Sequence, residues 1–249
     1  MAQEQTQAGP GRIPLLDILR SLALAAMIVF HTTRDLETFD LIEAGTTGRG
    51  GWYVAARLIA GSFLFIAGCS LALAHRDGLR WRRFAVRLAQ LVLAAALVSL
   101  ATWLAMPGVF VRFGILHCIA AASVIGLAFL GRPPALTAAA AAAAVLAPIV
   151  ARSAIFDAPA LIWTGLATTW PPMLDFVPVL PWIGPFLLGL AAATWADRAG
   201  VLPRLGAIAP RRPALARWLA WPGRHSLAIY LIHQPLILGL VWAWSRSLG

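Results

Sequence analysis

The residues most able to do chemistry in this chain stand inside apolar stretches. Within one uninterrupted apolar run lie Asp17, Arg20 and His31. At about 100° per residue, Arg20 and His31 differ by roughly 20° around a helix, and Asp17 and His31 by roughly 40°. All three therefore share one stripe, roughly 20 Å tall at about 1.5 Å per residue. Asp35 follows His31 by one helical turn and can face the same side. Ionisable groups in hydrocarbon are costly and mark a functional site by default. The alternative is an Asp17–Arg20 pair that only fixes helix packing, with His31 capping an interface. Two further histidines, His117 and His233, also fall in apolar blocks. Three histidines in a small bundle point to a polar cavity suited to proton transfer near neutral pH. No two His or Cys residues have ligand spacing within one helix, so no metal is expected. Cys69 and Cys118 read as small core residues rather than a disulfide.

A second cluster is basic. Arg76, Arg80, Arg82 and Arg83 sit together between two apolar blocks, and Arg224 with His225 precedes the last one. Membrane topology alone could account for them. Guanidinium forks also suit phosphate, as does a helix N-terminus beside Arg224, so these arginines are candidates for a phosphate-binding rim.

Composition dictates what holds these groups. Hydrophobic residues are 60% of the chain and charged residues 12%, against about 25% charged in a soluble domain. Several apolar blocks reach the roughly 20 residues that a membrane span requires. They lack the alternation of a barrel, so helices must satisfy their backbone groups. The expected class is all-α: a polytopic helical bundle of about seven transmembrane helices. The expected spans are Ile13–Phe30, Trp52–Ala74, Phe84–Met106, Val109–Leu130, the alanine-rich Pro134–Val150, Pro181–Trp195 and Ser226–Trp244. Ala151–Leu180, with four prolines and two tryptophans, reads as an interfacial loop with room for a re-entrant piece. Residues 1–11 form a polar tail expected to be disordered, and 12–249 a single membrane domain. Asp17 and Arg20 in the first apolar block argue against a cleavable signal peptide.

The net charge of +10 comes entirely from arginine. With the N-terminus inside, Arg12, Arg76, Arg80, Arg82, Arg83, Arg132, Arg198, Arg204, Arg211, Arg212, Arg217 and Arg224 fall on the inner side. Only Arg34, Arg49, Arg112, Arg152 and Arg246 fall outside. That bias predicts an N-inside, C-outside topology and explains the charge without nucleic acid.

The motifs carry a family resemblance. "RIPLLDILRSLALAAMIVFHTTRD" (12–35) looks like the first span of membrane acyltransferases. "SFLFIAGCSLAL" (62–73), "FGILHCIA" (113–120), "PWIGPFLLGL" (181–190) and "GRHSLAIYLIHQPL" (223–236) resemble bacterial relatives of the heparan-α-glucosaminide N-acetyltransferase catalytic domain. The wider acyltransferase-3 superfamily similarly pairs an Arg with a His in its first span. The resemblance implies a multi-pass protein of the bacterial inner membrane. It would pass an acetyl group from cytoplasmic acetyl-CoA to a carbohydrate amine or hydroxyl, or a similar small acceptor, on the far side. It assigns His31 and Arg20 to the first-span pair, and Tyr230 and His233 to the last-span element. The lysosomal members are expected to use a histidine in the loop after the first span. This chain has none between 32 and 74, which leaves His31.

Residues and resemblance together give an expected mechanism. Arg20, Arg80, Arg82, Arg83 and Arg224 would hold the CoA phosphates, and the pantetheine arm would rise along the first span. His31, oriented by Asp35, would deprotonate the acceptor or carry the acetyl group itself. His117 or a backbone donor would stabilise the oxyanion, with Tyr230 and His233 nearby. A transporter or flippase, or a non-catalytic membrane subunit, is the alternative. The alanine-rich fifth span would permit a homodimer.

Overall fold

The fold is described by a computed structural model covering residues 13–207 and 213–247. The polar tail 1–11 and the basic residues Arg12, Arg211 and Arg212 lie outside the described residues. Among those described, the α-helices are α1 (Pro14–Thr38), α2 (Gly50–Ala74), α3 (Trp81–Ala105), α4 (Ile115–Gly126), α5 (Pro134–Val150), α6 (Val179–Arg198), α7 (Leu202–Ala207), α8 (Pro213–Arg224) and α9 (Ser226–Ser247). A 3-10 turn, Leu127–Phe129, extends α4.

Each of the seven expected apolar blocks is helical, but only α1, α2, α3, α6 and α9 are long and apolar enough to cross a membrane. The α4 segment Ile115–Phe129 and α5 are shorter. The fourth block was expected to start at Val109. It starts at Ile115 because residues 107–109 form a turn and Phe113 pairs in a short bridge with Phe176. Leu174 N–H donates to Val109 O at 2.8 Å, and Val177 N–H to Phe113 O at 3.0 Å. The Ala151–Leu180 segment accordingly folds back onto the head of α4. It contains two 3-10 turns, Ala154–Asp157 and Ile162–Thr164, and no α-helix before Val179. Leu180 is extended (φ −99°, ψ 131°), so the regular part of α6 begins at Pro181, where a missing N–H costs nothing. The Pro-rich connector before the last span supplies α8.

The core lies between α2 and α6. Phe186, Leu64 and Leu190 are fully buried there. Glycines allow the approach: a Cβ on Gly68 would collide with the Phe186 carbonyl, and one on Gly189 with the Phe65 carbonyl. Without a hydrophobic force between helices in lipid, such close backbone packing is the main adhesive. Cys69 and Cys118 are free thiols buried in this cluster, and Cys69 Sγ donates to Gly189 O at 3.2 Å. On the other side of α2 lies α1, which α8 and α9 pack against. The α1–α8 contact is close enough that a Cβ on Gly223 would meet the Asp17 carbonyl.

Candidate functional site

α1 presents a polar cluster near each end. Near its N-terminus Asp17 is buried, at 2% exposure. Its carboxylate accepts from Arg20 Nη1 at 2.8 Å and pairs with Arg224 Nε at 3.5 Å. Arg20 also donates to Ser70 Oγ on α2, and Ser21 Oγ accepts from Gly223 N–H at 2.8 Å. Two of the predicted phosphate ligands, Arg20 and Arg224, are thus brought to one point through Asp17. Sequence spacing could not show the third element there, because Ser70 lies on a different helix. Arg80 is exposed and pairs with Asp77 at 3.3 Å, while Arg82 and Arg83 are exposed in the first turn of α3.

The second cluster sits at the far end of α1. His31 Nδ1 lies 2.7 Å from His233 Nε2, and the two rings stack at 16°. His233 Nδ1 lies 2.6 Å from the Tyr230 carbonyl oxygen. A carbonyl can only accept, so His233 Nδ1 carries the hydrogen. On the neutral ring, His233 Nε2 is then the acceptor and His31 Nδ1 the donor. His31 Nε2 is left with its lone pair. The bond chain therefore selects the tautomer in which the outer nitrogen of His31 is basic.

Asp35 is placed differently from the expectation that it orients His31. It is buried, at 3% exposure, and its two carboxylate oxygens accept from Gln234 Nε2 at 2.9 and 3.2 Å. Asp35 thus fixes the amide orientation of Gln234, beside His233. His31 is oriented by His233 instead. Gln234 Oε1 is buried with no hydrogen-bond partner among the described residues.

His117 has a structural task. Its Nδ1 accepts from Gly114 N–H at 3.3 Å, its Nε2 lies 3.3 Å from Ser99 Oγ, and its ring packs on Phe113. Both nitrogens are engaged at the head of α4, and no hydrogen bond joins His117 to the histidine pair among the described residues. Asp175 completes that head. It accepts from Ile115 N–H at 2.9 Å, and only a glycine at 114 leaves it room. Burial pushes the Asp175 carboxyl above the ordinary carboxylate range, opposed by the Ile115 N–H and Arg34. Tyr230 contributes its carbonyl to the pair and packs its ring 5.6 Å from that of His233.

Sequence reasoning missed Gln234, Asp175 and Ser70. Gln234 carried a usable signal: an amide next to a histidine in an apolar helix is itself a buried polar group needing partners. The family model described as "Heparan-alpha-glucosaminide N-acetyltransferase, catalytic" matches residues 12–235, from the start of the α1 stripe to just beyond Gln234. No curated protein and no solved structure matches the chain.

Proposed function

The chain belongs to the heparan-alpha-glucosaminide N-acetyltransferase catalytic family, and from that premise we propose that it transfers an acetyl group from acetyl-CoA to an amine or hydroxyl acceptor, with His31 Nε2 as the base. Membership implies transferase activity, and the five long apolar helices make the protein membrane-embedded. The finer reading concerns direction and residues. Acetyl-CoA enters at the arginine-rich end of α1, on the cytoplasmic side of a bacterial inner membrane, and the acceptor binds at the histidine end, on the outer side.

One observation carries this reading: the Tyr230–His233–His31 bond chain, which leaves a basic nitrogen at one end of a stripe with arginine at the other. Arg20 and His31 are separated by roughly 16 Å along the helix at about 1.5 Å per residue, a span suited to an extended pantetheine arm. Arg20 and Arg224 face the CoA phosphates, with Arg80, Arg82 and Arg83 extending the rim.

The proton balance then closes on one residue. The acceptor N–H or O–H gives its proton to His31 Nε2 as its heteroatom bonds to the acetyl carbon. The resulting imidazolium is stabilised by its bond to His233. When the carbon–sulfur bond breaks, the same proton passes to the departing CoA thiolate. Gln234 Oε1, fixed by the bond of its amide nitrogen to Asp35 and buried without a partner among the described residues, is the acceptor left for a second hydrogen of an amine or sugar hydroxyl. General-base assistance of this kind is worth about 10²–10⁴-fold. His31→Ala should therefore lower acetyl transfer to an amino sugar by that order while acetyl-CoA still binds. Full transfer by that variant in purified, reconstituted protein would remove the assignment. Flux of the amino sugar without acetylation would instead favour a transporter.

A further inference from the structure

At the arginine-rich end of the bundle a second cleft lies away from Arg20. It is a cavity of about 450 Å³ between the C-terminal ends of α2 and α6 and the 3-10 turn after α4. Ala72, which lines it, stands roughly 160° around α2 from Ser70, the partner of Arg20, at about 100° per residue. Its lining is mixed: His75, Arg76, Asp197 and Arg198 are polar, and Leu127 and Leu130 are apolar.

His75 is the informative group. It is 8% exposed, and its ring packs edge-on against Phe84. Nδ1 lies 2.9 Å from the Leu71 carbonyl oxygen and so carries the hydrogen. Nε2 of the neutral ring is then a buried acceptor, and it has no partner among the described residues. Buried polar atoms are almost always satisfied, so an orphan beside a cavity asks for a donor from outside the chain. Asp197 adds a second acceptor to the lining. Arg76 and Arg198 add cationic donors, although Arg76 Nε already pairs with Asp77 at 3.6 Å and Arg198 spends one nitrogen on the Gly131 and Arg132 carbonyls at 2.9 and 3.2 Å.

A fitting ligand must offer oxygen acceptors to guanidinium and N–H donors to imidazole and carboxylate at once. It must also carry apolar matter for the leucines. We propose that this cavity binds the phosphoethanolamine headgroup of a membrane phospholipid, the phosphate on Arg76 and Arg198, and the ammonium between His75 Nε2 and Asp197. The acyl chains continue over Leu127 and Leu130.

Native mass spectrometry of the full chain in detergent tests this directly. The probes are phosphatidylethanolamine, phosphatidylcholine and phosphatidylglycerol with identical chains, plus glycerophosphoethanolamine, which has no tails. The ethanolamine lipid should be retained several-fold better than the choline lipid, because trimethylation removes every N–H. It should also outcompete the glycerol lipid. His75→Phe, which keeps the ring against Phe84, should bring the ethanolamine-to-choline ratio close to one. Asp197→Asn should lower it, and Arg76→Gln, at an exposed position, should weaken both lipids alike. Equal retention of the ethanolamine and choline lipids by the wild-type chain would overturn the proposal, as would an unchanged preference in His75→Phe. Tight binding of glycerophosphoethanolamine at the same site would overturn the lipid assignment in favour of a soluble phosphoamine.

Discussion

In the proposed mechanism the role of His31 turns on which nitrogen lacks a proton, and that is decided through His233 at the Tyr230 carbonyl. His233 is accordingly a positioning residue. His233→Phe should fill much of the same space but free the His31 tautomer. The expected result is a lower kcat with the KM for acetyl-CoA near the wild-type value, together with a changed pH profile of kcat. A variant that loses only acetyl-CoA affinity would contradict that role. Asp17, Arg20, His31 and Asp35 were legible as a stripe on one helix, and His117 and His233 as ionisable groups in other apolar blocks, because such groups in apolar sequence announce themselves. Their pairing was not legible. Helical periodicity relates residues on one helix, whereas His31 with His233, and Asp35 with Gln234, are contacts between α1 and α9. Hence Asp35 was expected beside His31 and was found clamping an amide that sequence reasoning passed over.

At the scale of elements, two features set the frame for the site. The first is the glycine seam between α2 and α6. Gly68→Ala places a methyl where the Phe186 carbonyl stands, a backbone atom that cannot rotate away. Such overpacking costs about 1–3 kcal/mol, so thermal unfolding in detergent should occur at a lower temperature than for the wild-type protein. The second is the loop between α5 and α6. Asp157 accepts from the side chain and amide of Thr168 and from those of Thr169, which hold its carboxyl below the ordinary range. A depressed carboxyl stabilises the loop above the unfolded value and loses that contribution as pH falls through the folded one. Amide exchange at Thr168 and Thr169, corrected for intrinsic rate, should therefore quicken as pH drops below the ordinary carboxylate range. It should already be fast at neutral pH in Asp157→Asn. The loop itself was foreseen from its prolines. Its pairing with the residues before α4 was not, because an apolar stretch such as Val109–Phe113 looks the same in sequence whether it extends a helix or lies flat along another segment.

For the whole molecule, apolar block length revealed where helices form; five of the seven blocks are helices long and apolar enough to span, and α4 and α5 are shorter apolar helices. The charge bias and the α1 stripe make a joint claim about the assembled protein: the donor binds at one end of the bundle and the product forms at the other. Proteoliposomes test it most directly. Acetyl-CoA labelled in its acetyl group is enclosed, an amino sugar is supplied outside, and leakage is monitored independently. The account predicts labelled N-acetyl sugar outside the vesicles with the wild-type chain and almost none with His31→Ala. Equal labelling by that variant, or product only when donor and acceptor share one side, would contradict it.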